Sequence, residues 1–198
     1  MGSTHDWSVA ADTDHVLAIQ KNAKQFAKGG ITHLVLEVVA YAVDEAIMGT
    51  TDRIHVTLHK DGSVCVADNG RGTAVREVSG RPMVKPIMAT RDLRYFGVTG
   101  APVLPDGLVR SGISVVAALS EWVNHTNRRT DGNWTQRYEY GLPSGSLTAI
   151  SGNGTTGTSV CFRPNPAIFG SETVSPSKIK QMCIKFGGVA DIVITEEQ

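Results

Sequence analysis

Apolar residues recur every three or four positions over residues 14–28, at Val16, Leu17, Ile19, Ala23 and Phe26, and Gly29-Gly30 follows as a stop signal. The spacing predicts a first helix over 14–28. Thr32 is placed to cap a second helix, in which Leu34, Val35, Val38, Val39, Ala42, Val43, Ala46 and Ile47 make a wide apolar face before Gly49. The period then falls to two. Ile54, Val56 and Leu58 alternate with polar residues, Lys60-Asp61-Gly62-Ser63 supplies turn chemistry, and Val64-Cys65-Val66 returns, which predicts a β-hairpin. Between Gly72 and Gly112 only short apolar pieces stand among prolines, glycines and scattered charges, the pattern of a long loop or lid (73–111) around a short helix. Beyond it the pattern predicts an apolar helix over 111–122, a hairpin turning at Thr130-Asp131-Gly132-Asn133, strands near 147–150 and 159–162, a helix near 177–186 and a strand over 191–195. Helices interleaved with hairpins predict an α+β fold, a mostly antiparallel sheet with helices on one face. No internal repeat divides the chain, so residues 1–198 read as one domain, with 1–13 as a flexible arm.

Composition narrows the function classes. At 198 residues, 41% hydrophobic and 19% charged, the chain has enough apolar material for a real core. Lys+Arg and Asp+Glu both number 19, so the formal net charge is +0 and no global basic field exists to hold a phosphate backbone. Direct DNA binding is not expected. No apolar run approaches a membrane span, and the start Met1-Gly2-Ser3-Thr4-His5-Asp6 lacks the order of a signal peptide, which points to the cytoplasm. Cys65, Cys161 and Cys183 have no metal-ligand spacing and read as reduced core thiols.

Candidate chemistry begins on the second helix, where His33, Glu37 and Tyr41 fall at intervals of four and share one stripe. Such a trio alone is more often the solvated side of a core helix. Asp68-Asn69-Gly70-Arg71-Gly72 adds a strand end with a fixed acceptor and two glycines that admit a ligand close to the backbone, although a plain turn explains it equally well. A second glycine-rich passage, Gly152-Asn153-Gly154-Thr155-Thr156-Gly157-Thr158, leads into a strand.

The order of these motifs resembles the amino-terminal ATPase domain of the DNA gyrase B subunit and topoisomerase IV, members of the GHKL group. The resemblance rests on His33-Leu34-Val35-Leu36-Glu37-Val38-Val39, Asp44-Glu45-Ala46, Asp52-Arg53-Ile54, Asp61-Gly62-Ser63-Val64 and Asp68-Asn69-Gly70-Arg71-Gly72. Ser114-Val115-Val116, Ala118-Leu119-Ser120-Glu121-Trp122 and Gly157-Thr158 with Pro164-Asn165-Pro166-Ala167-Ile168-Phe169 complete it. It implies the Bergerat fold, a two-layer α/β sandwich. It also implies that Glu37 is the general base, that His33 supports it, and that Asp68, with Gly72 and Thr158, receives the adenine amino group. Glu45 and Arg71 match a salt bridge in the pocket wall, and Gly70 lies in the same ligand-binding turn.

The phosphate end departs from the pattern. Tyr41 stands where the family has its magnesium-binding asparagine, and a phenol is a poor magnesium ligand. The lid turn reads Gly107-Leu108-Val109-Arg110-Ser111-Gly112, and Val109 and Arg110 fit poorly in an anion-binding nest next to Gly112. Arg110, a lone loop arginine, reads as solvated. Thr135 takes the place of the family's coumarin-contacting arginine, and the chain reaches Gln198 about where the family's transducer domain would begin, so that domain's lysine and the DNA-cleaving parts are expected to be missing. His55 and His59 are expected to face solvent or a neighbouring layer, and Trp122, Trp134 and Phe162 to lie in the core or on the sheet.

Three functions are compatible with this pattern. The first is a repurposed enzyme whose former nucleotide pocket holds a small organic molecule, with Glu37 as base, polarised by His33 and facing Tyr41, for metal-free isomerisation, cyclisation or elimination. It needs no cofactor, magnesium or ATP. The second is a non-hydrolysing protein that binds adenine nucleotides without metal or sequesters a gyrase-directed inhibitor. The third is a residual ATPase acting with topoisomerase partners. The pattern leaves the oligomeric state open and favours the first reading, in which the acid–base dyad persists while the phosphate machinery is gone.

Overall fold

The computed structural model describes residues 4–197. Two short helices replace the single helix expected over 14–28: α1 (Thr13–Lys21), capped by Asp12, and α2 (Ala23–Phe26). They part at Asn22, whose side-chain amide donates to the Ala18 carbonyl at 2.8 Å and competes with the helical ladder. Helix α3 (Gly30–Ile47) starts two residues before Thr32, which is buried inside it and caps nothing. The start is instead satisfied from a distant loop. Glu172 accepts the Ile31 N–H at 2.9 Å, where a carboxylate also complements the helix dipole.

Strands β1 (Arg53–Leu58) and β2 (Val64–Asp68) form the expected hairpin. The 73–111 segment contains no described helix; it opens with a second hairpin, β3 (Val75–Val78) and β4 (Arg81–Val84). Its turn places Ser79 and Gly80 at φ 53° and 75°, the left-handed pair that a two-residue hairpin loop needs. Helix α4 (Ile113–Ala118) is shorter than the apolar run predicts, because the chain becomes extended at Ser120 and enters β5 (Ser120–Arg129). The remaining elements are β6 (Gly132–Glu139), β7 (Leu142–Pro143), β8 (Thr148–Ala149), β9 (Gly157–Pro164), α5 (Pro166–Phe169), α6 (Pro176–Ile184) and β10 (Asp191–Glu196).

One sheet runs in the order β10-β1-β2-β9-β5-β6-β7, with β8 on β6, and is antiparallel except where β10 joins β1. The two-layer expectation therefore holds. Ile54, Val56, Val66, Val160 and Phe162 on one sheet face meet Leu34, Val35, Val38 and Val39 of α3 in a single core. Trp122 and Trp134 are only partly buried, whereas Phe162 is fully enclosed. His55 contacts Thr195, and His59 contacts Glu197, both on the neighbouring edge of the sheet. Because β2 and β9 are antiparallel neighbours, the end of one and the start of the other lie together, and this juxtaposition brings Asp68 against Gly157 and Thr158.

Two expectations are corrected here. Cys65 and Cys161 are register partners across β2 and β9 and are bonded to each other, so they are not reduced thiols; only Cys183 is free, and it is buried. The arm is also partly tied down: Asp12 donates to Ala89 at 2.8 Å, Thr4 accepts from Leu93 at 3.0 Å, and Trp7 carries the Arg76 guanidinium on its ring. Residues 1–3 of that expected flexible arm lie outside the described residues. Among the described residues no helix is long and apolar enough to cross a membrane.

Alkylation of the denatured, unreduced protein should modify Cys183 alone, as read by intact mass; three modified thiols would show that the cross-strand bond does not form. A second test concerns His125, buried on β5, whose pKa burial pushes down to about 4 from an ordinary value of 6.5. The unfolded chain then takes up the proton first as pH falls, so this contribution to stability is complete above pH 6.5 and is lost towards pH 4, on the order of 3 kcal/mol at the limit. Urea titrations at several pH values should show His125→Gln losing less stability over that window than the natural sequence.

Candidate functional site

A cavity of about 610 Å³ opens between α3, the ends of β2 and β9, and the β3–β4 hairpin. Asp68 forms its floor. Its Oδ1 accepts the N–H groups of Gly70 at 2.9 Å and Thr158 at 3.3 Å, while Oδ2 takes neither bond. Burial raises the Asp68 pKa, and those two N–H donors work against the shift. A carboxylate so placed keeps one acceptor oxygen for a donor group on a ligand.

Beside it, the Thr158 hydroxyl lies 3.4 Å from that of Thr73. Gly72 stands at φ 78° with Asn127 and the Arg128 carbonyl so close that no side chain fits there. Gly70 belongs to the same turn but packs on Thr51 and does not line the cavity. Arg71 donates to Glu45 at 3.0 Å, and both line the wall, as the resemblance implies. Tyr41 contributes the inner end.

The expected acid–base pair lies elsewhere. Glu37 is fully buried and absent from the cavity lining, as is His33. Both Glu37 oxygens are occupied: Oε1 accepts the Ser111 N–H at 2.5 Å, and Oε2 accepts the Gly112 N–H at 3.1 Å. His33 Nε2 sits 3.6 Å from Glu37 Oε1, and its Nδ1 lies 2.7 Å from Asp106. Burial raises the Glu37 pKa, opposed by the Ser111 N–H, His33 and Arg110. Geometrically, Glu37 receives the amides at the start of α4 and does not line the cavity.

Arg110 corrects another expectation. It is 4% exposed, not solvated: Nη1 donates to Asp44 at 3.0 Å, Nε lies 4.0 Å from Glu37, and the guanidinium rests 4.0 Å from the Tyr95 ring and 4.6 Å from the Tyr41 ring. Val109 is largely exposed and bridges to Val103. Gly112, at φ 102°, brings the chain close against Asp92 and the Tyr41 hydroxyl. Tyr41 donates to Asp92 at 2.6 Å and accepts the Ile113 N–H at 3.3 Å, while Arg94 clamps Asp92 at 2.8 Å.

The same groups bear on magnesium. Glu37 is bound to backbone amides, Asp44 to Arg110 and Asp92 to Arg94 and Tyr41, and a buried guanidinium lies among them. Among the described residues no group of three or more His, Cys, Asp or Glu side chains is arranged to hold a metal. The oxygens of Glu37, Asp44 and Asp92 are thus already engaged, whereas magnesium takes one or two free carboxylates and completes its shell with water and ligand phosphates.

Thr135 lies on β6 and contacts Thr126, outside the cavity, whereas Arg129 lines the wall together with Arg71 and Arg94. Sequence reasoning also missed Lys85, Arg94 and Thr73, which line the cavity, and Asp92 and Asp106, which bind Tyr41 and His33. Asp92 and Asp106 carry no local signal of these roles, since their partners Tyr41 and His33 lie 51 and 73 residues away.

No family model matches this chain. The chain is 40% identical over 151 residues to the B subunit of DNA gyrase from Thermotoga maritima, covering 75% of this chain and 24% of that protein. It is 38% identical over 148 residues to the B subunit of DNA topoisomerase 4 from Staphylococcus epidermidis, covering 74% and 22%. It thus spans about a quarter of the length of these curated relatives. Among solved structures, the 43K ATPase domain of Thermus thermophilus gyrase B in complex with an aminocoumarin superposes with TM-score 0.74 at 30% identity, over 91% of this chain and 48% of that one. The topoisomerase IV ATP-binding domain of Francisella tularensis, in complex with a small-molecule inhibitor, gives 0.72 at 24% identity, over 91% and 89%.

If Arg110 holds the lid, Arg110→Met should destabilise the protein by about 3 kcal/mol, because it strips a buried charge pair of one partner. With no ligand added, hydrogen exchange across 102–112 should accelerate, read by mass spectrometry. Unchanged exchange there would show that the lid is held by something else.

Proposed function

We propose that this chain, a homologue of the gyrase B and topoisomerase IV B subunits with the GHKL ATPase fold of those proteins, uses its cavity to bind an adenine-type heteroaromatic ligand without metal and without hydrolysing it. One observation carries the reading: Asp68 presents an uncommitted carboxylate oxygen at the cavity floor, held by two backbone N–H groups. A planar heterocycle with an exocyclic amine is the ligand class that satisfies such an acceptor in a narrow, partly apolar slot lined by Val38, Val66, Ile87 and Val160.

The phosphate end supports binding over turnover. Phosphoryl transfer needs positioned cations and a nest of free N–H groups. Here the Ser111 and Gly112 amides are taken by Glu37, the Ile113 amide by Tyr41, and the Arg110 charge by Asp44. Acid–base catalysis on the ligand is equally poorly supplied, since Glu37 lies outside the cavity with both oxygens bonded. The relatives solved with an aminocoumarin and with a small-molecule inhibitor lend a precedent for organic ligands on this fold.

Calorimetric titration with ATP and ADP, with magnesium and with EDTA, followed by a phosphate-release assay, tests this function. Binding should be equal in the two media and release absent, and Asp68→Asn should weaken binding about ten- to a hundredfold. Magnesium-dependent binding with turnover would restore an ATPase and overturn the proposal.

A further inference from the structure

The charged groups lining the cavity cancel almost completely. Arg71 pairs with Glu45 at 3.0 Å, Arg94 with Asp92 at 2.8 Å, Arg129 with Asp131 at 2.8 Å, and Asp44 with Arg110 at 2.9 Å. Two lining charges are left over, Asp68 at the floor and Lys85 where the chain leaves β4. Among the described residues, no carboxylate lies within ion-pair distance of the Lys85 ammonium.

A half-buried ammonium without a counterion is costly, because partial burial removes hydration and nothing replaces it. Burial indeed pushes the Lys85 pKa down, and the Arg94 charge adds to the effect, against weaker pulls from Asp92 and Glu45. Lysines of no function usually reach out to water. Lys85 lines the cavity instead, and its backbone N–H donates to the Ala74 carbonyl at 2.8 Å across the end of the β3–β4 hairpin.

We propose that Lys85 is the anion-receiving residue of this cavity, so that the ligand carries an acidic arm, phosphate or carboxylate, which meets Lys85 and not the start of α4. This rests on the adenine-type reading of the Asp68 floor and adds the ligand's second group. The start of α4 is unavailable to that arm, since Glu37 and Tyr41 already take its amides. Arg94 stands beside Lys85 in the lining with its own charge neutralised by Asp92, so it offers hydrogen-bond donors without adding a second net charge.

Calorimetry in EDTA with adenosine, AMP and adenosine 5′-carboxylic acid, at low and high salt, tests the assignment. The two anionic probes should bind at least about tenfold more tightly than adenosine, with the gap shrinking in high salt. Lys85→Met should abolish the gap and leave adenosine binding as it was, which also reports that the variant is folded. Equal binding of AMP and adenosine, or a gap that survives Lys85→Met, overturns the proposal. If none of the three binds, the adenine reading of the floor fails, and Lys85 is tested separately. Labelling by an amine-reactive ester, followed by peptide mapping, should then be slowed at Lys85 by pyrophosphate; no slowing would overturn the anion site as well.

Discussion

A single carboxylate sets the terms for the rest of this site. Glu37 is fully buried on the central helix, and a buried ionised carboxylate must be hydrogen-bonded or lose its charge. The chain satisfies it with the Ser111 and Gly112 amides, the Arg110 guanidinium and His33. That requirement draws the 107–112 turn against α3 and fixes where α4 begins. Tyr41, one turn further along α3, holds the next amide and anchors Asp92, so loop and helix are joined at successive points along one face. This end of the cavity is thereby filled from within.

The consequence appears in the charge pattern of the cavity. Every carboxylate and guanidinium near the phosphate end is spent on a partner, and the groups left uncommitted sit at the two other places a ligand reaches, the floor at Asp68 and the hairpin at Lys85. Under the proposed function, recognition therefore lies away from the start of α4, and such a pocket discriminates ligands by the donors that meet Asp68 and by charge near β4.

Much of the fold was legible, because the signals that made it are local. The alternation of Ile54, Val56 and Leu58 fixed the first hairpin, and the apolar stripe from Leu34 to Ala46 fixed α3 and the layer it covers. The Asp68 turn and the Glu45–Arg71 pair were found by motif. Two of the failures share one physical cause, dependence on partners far along the chain. Arg110 looks solvated in its own loop and is buried because Asp44 and Tyr95 lie in wait 66 and 15 residues away. Cys65 and Cys161 look like inert core thiols until strand register sets them opposite each other. The β3–β4 hairpin was missed although Ser79-Gly80 is a turn signal, since its strands carry charges where alternation should have been read.

A lid held by its own side chains changes the energetics of binding. Where loop order depends on a ligand's phosphates, part of the interaction energy goes into ordering the loop, and affinity falls accordingly. Here Glu37, Tyr41, Arg110 and the His33–Asp106 contact supply bonds of that kind from the chain itself. The entropy of closing the turn is met during folding, so a ligand with few polar groups loses little on entering. The same arrangement removes the coupling between ligand and lid, because a ligand that makes no contact with the latch has no differential affinity for open and closed states. A homologue of ATPase domains is thereby left with a pre-formed pocket. Under the proposed function, its occupancy depends on the floor and the wall and not on a conformational cycle.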